Sequence, residues 1–195
     1  MLSEEPVEIP LLYCSDVQFA DSKLNPIERK FDSSVLIPSF EGSLYTNIFA
    51  GCTSVINGKT RELLISKILP DCVMHDWWMY IVTSAFGKVI FDNAKTLKYR
   101  LHDKNICGQK RNFYKNLIKL ISGKIYLNSP DEISKQVESF VSLYKEELSE
   151  DHLKAIDVFF DRSITNRVRV FFDQNFWKKS AGSLAPRVKF LLNKM

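Results

Sequence analysis

Residues 75–108, HDWWMYIVTSAFGKVIFDNAKTLKYRLHDKNICG, constrain the fold more than any other part of the chain, because the spacing of apolar residues changes period within them. Asp76 predicts an N-cap and Gly87 a C-terminal stop, with Trp78, Val82, Ala85 and Phe86 on one helical face between them. Beyond Gly87 the period falls to two. Residues 88–92 and 96–102 predict two strands of a hairpin around Asp92-Asn93-Ala94-Lys95. On the second strand Leu97, Tyr99 and Leu101 share one face, and Lys98, Arg100 and His102 share the other. A helix that feeds directly into strands gives an α/β chain.

Flanking segments extend this pattern. Pro10 leads into Leu11-Leu12-Tyr13-Cys14 with a polar Ser15-Asp16 exit, which predicts a buried strand that Val17 to Phe19 can lengthen. Residues 21–45, broken by Asn25-Pro26, Pro38 and Gly42, predict a loop. Gly51-Cys52-Thr53 are small residues that permit close backbone approach ahead of a second apolar run. Asn57-Gly58 predicts a tight turn, and residues 60–68 a helix bounded by Pro70. Residues 111–121 predict a helix. Ser129-Pro130-Asp131-Glu132 is a capping box with proline at the first helical position. It launches a helix with Ile133, Val137, Phe140, Tyr144 and Leu148 on one stripe, and Ser149 predicts the cap of another.

Composition excludes several classes. The 195 residues suit one domain, or a domain and an appendage. Cys14, Cys52, Cys72 and Cys107 are scattered with no Cys-x-x-Cys pair, which suits reduced thiols in a cytosol rather than a zinc site or disulfide framework. The start lacks a secretory pattern, and no apolar run approaches the roughly 20 residues of a membrane span. The net charge of +4 resides in the tail: residues 161–195 hold eight Lys or Arg against two Asp, while residues 1–160 hold 19 basic against 21 acidic. There the basic residues interleave with Phe171, Phe172, Phe176, Trp177 and Phe190. That mixture fits a helix on an anionic membrane surface, or equally a helix docked through its aromatics with lysines in water. No nucleic-acid recognition motif accompanies the charge, so nucleic acid is not an expected partner.

Asp76 carries the chemistry. A sugar hydroxyl is a poor nucleophile near neutral pH, so glycosyl transfer to it calls for a positioned base. A carboxylate at a helix start is fixed in place and favoured in its charged form. Trp77 offers a flat apolar face to a pyranose, whereas Trp78 lies on the core side. The plain alternative is that Asp76 only caps the helix and both tryptophans fill the core. Likewise, the Lys98, Arg100, His102 row is either a phosphate-facing edge or a solvated outer face.

Motif by motif, the chain resembles the C-terminal half of family 2 glycosyltransferases, especially the bacterial rhamnosyltransferase-like group. The resemblance rests on His75-Asp76-Trp77-Trp78, Phe86-Gly87-Lys88, Tyr99-Arg100-Leu101-His102 and Asn105-Ile106-Cys107-Gly108. Leu12-Tyr13-Cys14-Ser15-Asp16 and Gly51-Cys52-Thr53 with Asn57 fit upstream, in the right order. The resemblance implies a GT-A-type (Rossmann-like) fold, with residues 1–109 as its acceptor-side part and residues 110–195 as a helical basic tail. It implies inverting transfer of a sugar, rhamnose being one candidate, from a dTDP- or UDP-sugar to a glycan or lipid-linked acceptor in cell-surface polysaccharide synthesis. Asp76 would be the catalytic base. His75 and Trp77 would shape the acceptor pocket, with Gly51, Cys52 and Thr53 lining the site near the sugar. Arg100 and His102 would lie near the donor diphosphate, and His102 near its divalent ion, Mg or Mn. The location implied is the cytoplasm, with peripheral contact at the inner face of the membrane through residues 161–195.

One departure is large. The family's nucleotide-binding half, with its Asp-x-Asp-type motif, has no counterpart in residues 1–10. The chain therefore reads as an incomplete GT-A-type enzyme, inactive unless the missing half comes from another polypeptide, and with an uncovered sheet edge. The rival expectation is a non-catalytic remnant that binds a membrane or partner.

Overall fold

The computed structural model describes residues 8–28, 33, 36–68, 72–101, 130–161 and 163–172. Within them the chain is mixed α/β, with a three-stranded sheet in the order β2-β1-β3 and a helical layer. Strand β1 is Leu11–Ala20, β2 is Ser54–Ile56 and β3 is Lys88–Arg100. Helices are α1 (Phe40–Ser43), α2 (Gly58–Ile65), α3 (His75–Phe86), α4 (Pro130–Tyr144), α5 (Glu150–Phe160) and α6 (Ile164–Phe172). None is long and apolar enough to cross a membrane.

The central strand β1 pairs antiparallel with β2 and parallel with β3. The hairpin expected over residues 88–102 is instead one 13-residue strand, β3, that lies beside β1 along its whole length. The polar Asp92-Asn93-Ala94-Lys95 segment forms a bulge and not a reversal. Between the pairs Ser15↔Asp92 and Val17↔Leu97, two steps along β1 face five along β3. The Asp92 carboxylate accepts from the Ala94 amide at 2.8 Å, and the hydroxyls of Ser15 and Thr96 hydrogen-bond across the gap. Asp and Asn favour such local turns, but parallel pairing with a distant strand decides their outcome. The faces expected beyond the bulge hold: Leu97 and Tyr99 are half-buried, and Lys98 and Arg100 are exposed.

The bulge coincides with a change in which side of β1 is covered. Before it Leu12 and Cys14 are buried while Tyr13 is exposed; after it Val17 and Phe19 are buried. Close backbone approach at the Pro10 carbonyl fixes one end of this unit. A Cβ on Gly87 would fall 2.0 Å from the Pro10 carbonyl oxygen, so only glycine lets α3 turn into β3 against the start of β1. Lys88 N–H then donates to that same oxygen at 2.9 Å.

Asn57 makes no tight turn; it is the N-cap of α2, accepting from Thr60 N–H at 2.9 Å. Its side chain also accepts from Leu11 N–H (3.0 Å) and donates to the Ile9 carbonyl (2.9 Å), so the cap doubles as a clamp on β1. Helix α2 closes at Ile65, short of the expected residue 68. The loop expected over residues 21–45 contains α1, capped by the Ser39 hydroxyl.

The helical layer packs around Phe140, whose ring lies 5.3 to 6.5 Å, centroid to centroid, from Tyr144, Phe40, Trp78 and Phe86. The expected stripe of α4 is buried at Ile133, Val137, Phe140 and Tyr144, with Leu148 packed against its edge. Ser149 caps α5 as expected, accepting from His152 N–H at 3.2 Å. Helices α4 to α6 therefore share one core with α1 and α3. The boundary expected at residues 109/110, the helix over 111–121, His102 and Asn105–Gly108 lie outside the described residues.

Candidate functional site

Helix α3 starts two residues earlier than its sequence suggests. Met74 is the N-cap and makes no side-chain hydrogen bond, so Asp76 is the second helical residue and not the cap. Asp76 is 7 % exposed, and its carboxylate is held by two backbone amides. Oδ1 accepts from Trp77 N–H at 2.8 Å, and Oδ2 accepts from Gly51 N–H at 2.9 Å. The Gly51 bond joins residues 25 apart and brings the Gly51–Thr53 turn onto the start of α3. A Cβ at Gly51 would meet His75 Nε2 at 3.0 Å, Asp76 Cβ at 3.1 Å and Asp76 Oδ2 at 3.3 Å. Glycine here is a condition of the contact.

Three expected site residues, Gly51, His75 and Asp76, are thus brought together. His75 is exposed beside the carboxylate, and Cys52 is exposed on the adjoining turn. Thr53 is not available to a ligand: it is buried, and its hydroxyl faces the carbonyls of Ala50 (2.8 Å) and Ser15 (2.9 Å). Trp77 was expected to face a sugar and does not. It is 4 % exposed, and its indole N–H donates to the Ser43 carbonyl at 2.6 Å. The reason is that α3 is apolar on nearly its whole circumference, with Trp77, Trp78, Tyr80, Ile81 and Val82 all buried, so both tryptophans fall in the core.

Arg100 stands apart from this cluster. It is exposed and pairs in register with Ala20, five residues along β1 from Ser15, to which Thr53 is tied. At ordinary strand rise that is about 16 Å. The described residues contain no group of three or more His, Cys, Asp or Glu placed to hold a metal ion, and His102, the expected ligand, lies outside them. Asp16, the nearest acidic substitute in the strand, spends its carboxylate on Val17 N–H (2.7 Å) and the Ser33 hydroxyl (2.8 Å).

On the sheet face away from α3 lies a pair that the sequence did not suggest. The Tyr13 hydroxyl donates to Asp92 Oδ2 at 2.8 Å. The Ala94 amide, and then this hydroxyl, hold the Asp92 carboxyl below the usual range, while the same bond raises the Tyr13 phenol. The two residues are 79 apart, and only the parallel pairing of β1 with β3 makes them neighbours. Elsewhere burial pushes the Cys14 thiol up to about 12 and lowers the His152 imidazole.

Chemically, the Asp76 cluster offers a fixed, largely covered carboxylate, each oxygen of which accepts one amide and has capacity for a second donor. It is bordered by an exposed imidazole, and it can accept a proton from a hydroxyl brought to it. No protein-family model, curated protein or solved structure matches the chain.

Proposed function

We propose that the chain is the acceptor-side half of a GT-A-type, inverting family 2 glycosyltransferase, with Asp76 as its base. The observation that carries this reading is the Asp76 carboxylate inside its His-Asp-Trp-Trp segment, clamped between the amides of Gly51 and Trp77 and bordered by exposed His75. In the reaction the acceptor hydroxyl gives its proton to Asp76 while its oxygen forms the new bond to the anomeric carbon. The bond from that carbon to the nucleoside diphosphate breaks, and the diphosphate leaves with the electron pair. Substitution from the opposite side inverts the anomeric centre. His75 and Cys52 border the acceptor's approach, and Arg100 serves the donor side. The donor is a dTDP- or UDP-sugar, its nucleotide held by the nucleotide-binding half of the fold. The setting is the cytoplasmic side of the membrane.

The test is transfer of radiolabelled sugar from dTDP-rhamnose or UDP-glucose to a glycan acceptor, with the chain alone and with a nucleotide-binding half supplied in trans. The chain alone is expected to be inactive and the pair active, with Asp76→Asn lowering transfer by about 10²-fold or more. Robust transfer by the chain alone would refute the need for a second half. Transfer by the pair that ignores Asp76→Asn would remove Asp76 from the chemistry.

A second reading, a non-catalytic remnant that binds membranes, draws on α6. Ile164, Val168 and Phe172 are 71 %, 41 % and 72 % exposed, and their spacing puts them on one face, beside exposed Arg169. Val170 and Asn166 are buried instead. An apolar face next to basic residues suits the surface of an anionic bilayer. Under this reading vesicles rich in phosphatidylglycerol sediment the protein, added salt weakens the binding, Phe172→Ser reduces it, and no transferase activity appears in any combination.

A further inference from the structure

The sheet face opposite α3 carries a cavity of about 370 Å³ beside the bulge. Leu36, Ile90 and Phe91 give it apolar walls, and Tyr13, Asp92 and Asn93 give it polar ones. Ser33 also lines it, with its hydroxyl already donated to Asp16. The regular register Tyr13↔Ile90 and Ser15↔Asp92 sets Asp92 beside Tyr13, and the bulge that follows Asp92 adds the polar Asn93 without ending the pairing with β1.

The hydrogen-bonding capacity left over defines the ligand. Asp92 accepts once at each carboxylate oxygen, from the Ala94 amide and the Tyr13 hydroxyl, so each oxygen keeps an open lone pair. Exposed Asn93 makes no side-chain hydrogen bond among the described residues and offers both a donor and an acceptor. Among its described lining residues there is no Lys or Arg, so none of them offers a phosphate a cation. Those described residues hold a single carboxylate, too few ligands for a divalent cation. A wholly apolar ligand would desolvate Asp92 without compensation.

We propose that this cavity is a saccharide-binding subsite, separate from Asp76 and on the other face of the sheet. A pyranose lays its C–H face on Tyr13, Ile90 and Leu36, and adjacent hydroxyls donate to Asp92 and pair with Asn93. Ligand sites run from about 300 to 1,000 Å³, so this one takes a mono- or disaccharide and not a whole nucleotide sugar.

The test is a titration of the ¹⁵N-labelled full chain with the methyl pyranosides of glucose, mannose, galactose and rhamnose, with glycerol as the open-chain control. At least one pyranoside is expected to give saturable shifts at the amides of Tyr13, Ile90, Asp92 and Asn93, and glycerol none. Asp92→Asn is expected to weaken that binding about tenfold, as loss of a hydrogen bond to a charged group does. Asn93→Ala, a change on an exposed side chain, is expected to weaken it by a smaller factor with the spectrum otherwise intact. Absence of saturable shifts from all four sugars overturns the proposal. So does an equal response to glycerol, or binding indifferent to both substitutions. Shifts confined to Gly51 and His75 also overturn it, while leaving the reading of Asp76 standing.

Discussion

The two faces of the sheet treat a carboxylate in opposite ways. On the α3 face, Asp76 is almost fully covered and both of its hydrogen bonds come from backbone amides, at Gly51 and Trp77. On the other face, Asp92 is only half-buried and takes one bond from the Ala94 amide and one from the Tyr13 side chain. Backbone donors cannot rotate away, so Asp76 is placed as firmly as the elements that carry it. A side-chain donor adapts, which suits binding better than chemistry. The surroundings follow the same division. The α3 face adjoins an aromatic core centred on Phe140, whereas the far face shows Val55, Tyr13 and Ile90 in register across all three strands, at 65 %, 36 % and 40 % exposure. The helical layer therefore supplies most of the stability, and the far face contributes little.

The strongest way to break this comparison is Phe140→Ala. Phe140 is fully buried and contacts aromatic rings from α1, α3 and its own helix. Its truncation leaves a cavity that rings held by several elements cannot refill, at an expected cost of about 3–5 kcal/mol in urea unfolding. A loss below about 1 kcal/mol would mean that the helical layer does not hold the fold.

Next in size is an alkaline effect that locates burial on the α3 face of β1. Cys14 is fully buried, and its thiol is raised from 9.0 to about 12. Between those values the unfolded chain releases the thiol proton and the folded chain keeps it, so stability falls as pH rises, by at most about 1.4 kcal/mol per unit from this group. The difference between the native chain and Cys14→Ala should therefore narrow from pH 9 upward. A difference independent of pH would place Cys14 in contact with water.

Gly51→Ala probes the clamp itself. The added methyl meets His75 and Asp76 at 3.0 to 3.3 Å, so the turn or the helix start must give way, at an expected cost of about 1–3 kcal/mol. Gly58, with nothing within 4 Å of its added Cβ, is the control and should tolerate alanine with little change. In NMR spectra the Asp76 and Trp77 amides should shift in the first variant and not in the second. Equal behaviour of the two glycines would dissolve the Gly51–Asp76 contact.

What the sequence made legible follows from the range of the interactions involved. Local signals carry through to the structure: the Ser149 cap, the stop of α3 at Gly87 and the buried stripe of α4 each depend on residues within a turn or two. The small residues at 51–53 also pointed to a close approach, and Gly51 makes one. The departures from local signal are tertiary. Asp92-Asn93-Ala94-Lys95 has the chemistry of a hairpin turn, and only pairing with β1 converts it to a bulge. Trp77 lies on what a single-face reading of α3 calls the outer side, and α1 covers it. The Tyr13–Asp92 pair left no trace in the sequence, because the two residues are 79 apart and the one local bond of Asp92, from the Ala94 amide, points to a turn and not to Tyr13.

The smallest expected effect is the sharpest test of the far face. Val55 is 65 % exposed on a three-residue strand, and its register partner Tyr13 gives it a neighbour but no cover. Val55→Thr keeps the β-branched shape and removes one methyl group in favour of a hydroxyl that water can satisfy. If the far face is solvated, stability should change by no more than about 0.5 kcal/mol, the ordinary range for surface positions. Self-association at high concentration, read by sedimentation velocity, should fall, because an exposed apolar row on a short sheet invites pairing with another copy. A loss above about 1 kcal/mol would mean that a hydroxyl is being buried there. The far face would then belong to a second layer of the core, and the contrast between the two faces, with Asp76 enclosed and Asp92 open, would have to be abandoned.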